Sequence, residues 1–259
     1  MRELRQAIAS HVRAARGTEC DSDQVFVVSG AQRAMDLLCQ LLLDPGDEAW
    51  MEEPGYPGAR SALVAAGARI HPVKVDEEGP CLHGLDVDGR VIYVGSFSKT
   101  LFPALRLGFM IVPRDIHDEL LAVRRASEVH PPRLDQAVLA DFMLGGHYER
   151  HLRRVRAAYR ERLEALEQAA RRHCGGALRL RPARTGLHAV ADLVDADAGR
   201  AFEAAAERNV EVMPLSAYYF GRAQPQNALV LGFGGVRADS VEDGMKRLAA
   251  AIDDARRQP

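Results

Sequence analysis

Hydroxyl, amine and guanidinium side chains gather in residues 91 to 109, which read VIYVGSFSKTLFPALRLGF. An apolar strand over 91–95 runs into Ser96, Ser98 and Lys99, and Arg106 follows seven positions later, with Leu107-Gly108 just beyond it. A lysine amine at the carboxyl end of a buried strand can condense with an aldehyde cofactor. An arginine returning to the same place can grip an anion through two parallel hydrogen bonds. Either cation alone reads as a solvated surface residue. Together, at this spacing and between hydroxyls, they read as a site.

A second stretch, VFVVSGAQRAMDLL, places Gly30, Ala31 and Gln32 where a strand ends and a helix begins. The free N–H groups and positive dipole of a helix start suit a phosphate there, although a plain strand-to-helix turn has the same pattern. Other motifs carry less. His147 and His151 have the i, i+4 spacing of a metal pair, but no Glu follows the first and no third ligand is evident, so no metal is expected. The arginines from Arg150 to Arg162 read as a solvated helix face. GFGGVR at 232–237 lacks the G-x-G-x-x-G spacing of a dinucleotide site.

The elements that must hold these residues alternate. Strand 25–28, a helix bearing Ala34, Leu37, Leu38 and Leu41 on one face, strand EAWMEE, helix ARSALVAAGA and strand RIHPVKV follow in order, which predicts a mostly parallel α/β sheet. A polar, turn-rich stretch, DEEGPCLHGLDVDGR, interrupts the alternation before the lysine strand. A long helical region runs from about Asp115 to His173, and strands ALRLRP, GLHAVADL, VEVMPL and NALVLGFG then alternate with two helices. That is a second, smaller α/β unit. The first residues, MRELRQAIASHVRAARG, repeat Leu4, Ile8 and Val12 on one helix face. They read as a packed amphipathic helix rather than a secretory signal or a mitochondrial leader.

Composition excludes several classes. Over 259 residues, 47% hydrophobic and 27% charged residues describe an ordinary globular protein with a sizeable core. A net charge of -2 offers no global attraction to nucleic acid or anionic membrane. Four widely spaced cysteines fit a reducing compartment rather than a disulfide framework, so the expected location is the cytoplasm. No apolar run is long enough for a membrane span.

The stretches LRQAIASHVRAARG, VFVVSGAQRAMDLLCQLLLDPGD, EEPGYPGAR, VIYVGSFSKTLFPALRLGFMIVP, HLRRVRAAYRERLEAL, TGLHAVADL and VMPLSAYYF together resemble the fold-type-I pyridoxal-phosphate enzymes. They are most similar to the aminotransferase-like domain of MocR-type GntR-family regulators. The resemblance implies an α/β fold with a large cofactor domain over 20–150 and a small domain from 1–19 and 151–259. It makes Lys99 the catalytic Schiff-base lysine. Ser96, Ser98, Arg106 and the Gly30, Ala31 and Gln32 amides would lie at the cofactor phosphate, and Tyr56 of PGYPG against the pyridine ring. It implies a homodimer acting on an amino acid or amine with a keto acid.

Departures from the family pattern are as informative. Two sheet strands and their loops, between the VKVDEEG strand and the lysine strand, are missing near residues 79–82. With them go the carboxylate that pairs with the pyridine nitrogen and a tyrosine beside the ring hydroxyl. Only Asp76, Glu77, Glu78, Asp86 and Asp88 stand near the junction. Gly235 occupies the place of a substrate-carboxylate arginine, leaving Arg237 as the substitute candidate. No winged helix precedes the first helix, so no nucleic acid binding by this chain is expected. Two readings stay open: an aminotransferase acting through Lys99, or a catalytically impaired effector-binding or dimerisation relic of a regulator.

Overall fold

The hydrophobic run Val25-Phe26-Val27-Val28 has no polar alternation, and the structure shows why: all four residues are buried. In this computed structural model, which describes residues 1–17, 19–75, 89–127, 132–183, 186–221 and 224–257, strand β1 (Val25–Val28) pairs with β5 (Gly108–Ile111), and β5 with β4 (Tyr93–Ser96). One face of this sheet meets helices α1 (Arg2–Arg16) and α5 (Arg133–Leu144), burying Val25, Val27, Phe109 and Ile111 with Leu4, Ile8, Val12 and Leu139. The other face buries Phe26, Val28 and Met110 with Ala34 and Leu37 of α2 (Ala31–Leu42) and Leu120 of α4 (His117–Ser127). Strands covered on both faces lose the alternation that a half-exposed strand would show.

Two compact units divide the chain, Met1–Leu152 and Arg153–Pro259. Helix α1 belongs to the first. Its Leu4-Ile8-Val12 face packs on α5 and β1. Gly17 ends α1 in a left-handed conformation with φ 65°, a turn that glycine adopts without a steric penalty.

The expected α/β class is what the structure shows, with β5 the one reversed strand of its sheet. β1 and β4 both run antiparallel to β5. The reason lies in the connection: residues 97–107 return from β4 to β5 with no crossover α-helix, and a parallel neighbour needs one. The parallel pair among the described strands is β2 (Glu48–Glu53) with β3 (Arg69–Lys74), joined across α3 (Pro57–Ala65). This pair forms a separate two-stranded sheet on which Trp50 is 81% exposed. The predicted junction at 79–82 lies outside the described residues.

The long helical region contains three α-helices among the described residues. Pro132 caps α5, and Gly145 with Gly146 (φ 69°) separates it from α6 (His147–His173). Proline and left-handed glycine both stop a helix.

The second unit contains β6 (Leu178–Leu180), β7 (His188–Leu193), α7 (Ala198–Glu207), β8 (Met213–Pro214), β9 (Ala228–Gly232) and α8 (Ala238–Arg257). Its strands form an antiparallel sheet in the order β6-β7-β9-β8. Leu178, Ala191 and Leu229 pack there with Leu248 and Ile252 of α8.

Candidate cofactor cradle

Register brings the predicted residues together. Val28 at the end of β1 and Ser96 at the end of β4 both stand opposite Gly108, the first residue of β5. The Ser29-Gly30 turn and the Ser96–Lys99 segment therefore leave the sheet side by side. Gly108 makes this possible. A Cβ there would lie 2.8 Å from the Gly95 carbonyl oxygen and 3.2 Å from the Gly30 backbone, closer than packed atoms allow.

Gly30 is the N-cap of α2 with φ 103°, and no side chain caps this helix start. The Ala31 and Gln32 amides belong to the first turn of α2, where N–H groups have no helical acceptor. Arg106 lies over this turn: a Cβ on Gly30 would sit 3.7 Å from Arg106 Nη2 and 3.9 Å from its Cζ. A guanidinium across an uncapped helix start, with Gly30 leaving space between them, is a cradle for a phosphate group. Arg106 itself is left-handed, with φ 49° and ψ 30°. Non-glycine residues seldom adopt this conformation unless their surroundings impose it.

The lysine segment is a tight turn. Leu101 N–H and Thr100 N–H both donate to the Phe97 carbonyl, at 2.8 and 3.1 Å, and Phe97 N–H donates to the Leu107 carbonyl at 3.1 Å. Ser96 Oγ accepts from the Ser98 N–H at 3.2 Å. Phe97 is buried against Phe109 and Tyr148, whereas Lys99 is exposed.

Two residues that the sequence did not single out for this site hold the turn. His151 Nε2–H donates to the Thr100 carbonyl at 2.7 Å, and Tyr148 Oη shares a hydrogen bond with Thr100 Oγ1 at 3.1 Å. His147 meets Arg150 at 2.7 Å and stacks on Phe142. The i, i+4 histidines thus have separate protein partners. The signal was the HYERH spacing, but its meaning depended on a contact 51 residues away.

Tyr56 caps α3 and is 55% exposed. Gln32 ties its loop to the cradle, since Nε2 donates to the Gly58 carbonyl at 3.0 Å and to Asp36 Oδ1 at 3.1 Å. Arg237 lies in the second unit, 81% exposed, with both Nε and Nη2 directed at the Asp239 carboxylate. That pairing raises the Arg237 pKa and holds the Asp239 carboxyl below its ordinary range. Asp76, Glu77, Glu78, Asp86 and Asp88 lie outside the described residues. Among the described residues, no group of three or more His, Cys, Asp or Glu is arranged to hold a metal. None of the described helices is long and apolar enough to cross a membrane.

The architecture matches solved aminotransferases. A kynurenine aminotransferase from Pyrococcus horikoshii superposes with a TM-score of 0.88 at 22% identity, covering 98% of this chain and 80% of that one. LysN, an α-aminoadipate aminotransferase from Thermus thermophilus, gives 0.84 at 23%, covering 98% and 82%. This chain has the fold-type-I aminotransferase fold.

Residues 1–89 also match the model of the aminotransferase class I and II family. Among curated relatives, a protein named probable rhizopine catabolism regulatory protein MocR, from Rhizobium meliloti, is 33% identical over 96% of this chain and 63% of its own length. The 2-aminoadipate transaminase of Thermus thermophilus is 25% identical, over 89% and 75%. The chain spans about two thirds of the first regulators it matches, 63% and 66%. The MocR alignment runs over 313 positions against 259 residues here, so at least 54 of those positions have no counterpart in this aminotransferase-fold chain.

Proposed function

We propose that the chain binds pyridoxal 5'-phosphate in this cradle and carries out aminotransferase-type chemistry between an amino acid or amine and a keto acid. The observation that carries the proposal is the meeting of the uncapped α2 start, the Arg106 guanidinium and the Lys99 turn at one end of the β1-β5-β4 sheet. In this reading Arg106 and the Gly30, Ala31 and Gln32 amides hold the phosphate, with Ser96 and Ser98 beside it. Tyr56 stacks on the ring. Lys99 Nζ would hold the cofactor's aldehyde carbon, with loss of water, and, once displaced by the substrate amine, would be the base that takes the substrate Cα proton. The cofactor, when bound, supplies an electrophilic aldehyde and a ring that accepts the electron pair freed at Cα.

A second reading, a cofactor- or effector-binding relic of a regulator, draws on the similarity to MocR and on the 54 or more positions without counterpart. Under both readings the chain is a cytoplasmic homodimer with no sequence-specific DNA binding of its own. Leu134, Val138 and Leu144 of α5 and Phe102, all exposed, are apolar surface that a second copy would cover.

Absorption spectra during titration with pyridoxal phosphate test the proposal. A saturable visible band that pyridoxal without phosphate does not reproduce at the same concentration is expected. Equal titration by both compounds would remove the phosphate cradle from the account. Single-turnover reaction with L-amino acids then separates the two readings, since the relic binds the cofactor without converting it.

A further inference from the structure

A cavity of about 400 Å³ in the first unit shares no lining residue with the cradle. Its floor is Val25, Phe26 and Val27 of β1. Around that floor stand four guanidinium groups, those of Arg2, Arg5, Arg124 and Arg133, together with His117. No Asp or Glu is among the described residues that line it. Acids do stand nearby: Glu3 is in the first turn of α1, Asp23 lies 3.8 Å from Arg5, and Asp118 meets His117 Nδ1 at 3.0 Å, with the Asp23 and Asp118 carboxylates largely exposed.

Three of the four arginines stand here against the preference of the helices that carry them, Arg124 being in the last turn of α4. Arg2 and Arg5 lie in the first turns of α1, and Arg133 is the first residue of α5. The positive end of a helix dipole disfavours cations at those positions. Burial, and next the charge of Arg5, hold the Met1 amine below its ordinary pKa; Glu3 opposes them, and Arg133 and Arg124 add to the lowering. The inner wall is built rather than open. Gln136 is 3% exposed and its Oε1 accepts from the Met1 amine at 3.1 Å. The Phe26 ring is flanked by Arg124 at 5.2 Å and His117 at 4.9 Å.

We propose that this cavity is a second anion site, distinct from the cofactor cradle, for a phosphorylated small molecule carrying two or more negative charges. Guanidinium groups suit phosphate oxygens through paired N–H donors, and several of them around one volume favour a polyanion over a monoanion. This inference does not rest on pyridoxal phosphate binding.

Isothermal titration with inorganic pyrophosphate in a low-salt, cofactor-free buffer tests it, because screening weakens exposed charges as salt rises. The Arg106→Ala protein, in which the cradle has lost its guanidinium, should still bind pyrophosphate. Adding Arg124→Gln and Arg133→Gln to it should weaken that binding at least tenfold, with the far-UV circular dichroism and melting temperature retained. If the combined variant does not fold, Arg133→Gln alone, at an exposed position, should weaken binding about threefold or more. Failure of the Arg106→Ala protein to bind pyrophosphate, or an affinity unchanged by the cavity substitutions, overturns the proposal.

Discussion

Arg106 bears a conformational cost that the proposed phosphate contact would explain. A left-handed non-glycine residue is disfavoured by roughly 1–2 kcal/mol, and here it places the guanidinium over Gly30. Arg106→Gly separates the two effects. The variant should lose none of its thermal stability without cofactor, because glycine relieves the backbone. Its affinity for pyridoxal phosphate should fall about ten- to a hundredfold, the weight of a charge-assisted contact of about 1.5–3 kcal/mol. Undiminished cofactor affinity in a titration would detach Arg106 from the site. Gly108 is constrained from the opposite side, having no room for a side chain. Gly108→Ala should destabilise the first unit by about 1–3 kcal/mol through overpacking, read as a lower urea midpoint. The offset between Lys99 and Arg106 was legible in the sequence as a pattern. The strained φ and the reason for Gly108 were not, since both depend on β5 lying between β1 and β4.

At the scale of elements, the lysine turn depends on the start of α6. Tyr148 and His151 each hold Thr100 by one hydrogen bond, next to the buried Phe97. Tyr148→Phe keeps the ring and removes only Oη, so it should cost about 0.5–1.5 kcal/mol. His151→Leu should cost more, because it leaves the Thr100 carbonyl without the donor it now has. Hydrogen exchange should rise locally in residues 97–101 in both variants; protection equal to wild type would show that the turn stands without α6. Most elements were readable from periodicity, including the Leu4-Ile8-Val12 face and the uninterrupted strands 25–28 and 108–111. The partners were harder. The α1 face could pack on either unit, and strand direction follows from the β4–β5 return rather than from the strand-helix alternation that precedes it. Pairings across 48 and 51 residues leave no periodic trace in a sequence.

For the whole molecule, the decisive fact is length. The MocR alignment leaves at least 54 positions unmatched, and β4 and β2 are edge strands of separate sheets among the described residues. If those positions supplied the carboxylate that keeps the pyridine nitrogen protonated, the electron sink is shallower without it. We therefore predict cofactor binding with slow turnover, seen as half-transamination of L-amino acids far below that of full-length aminotransferases. Rapid, complete conversion in a stopped-flow trace would mean that another acid has taken that role. Sedimentation at micromolar concentration should show a dimer, and a monomer would contradict the proposed assembly. The central claim, that Lys99 bonds the cofactor, has a direct test because the chain contains three lysines, Lys74, Lys99 and Lys246. Borohydride reduction of the protein saturated with pyridoxal phosphate, followed by peptide mass mapping, should find one phosphopyridoxyl group, on Lys99. Label on Lys74 or Lys246 instead, or the same labelling in Lys99→Ala, would contradict the account.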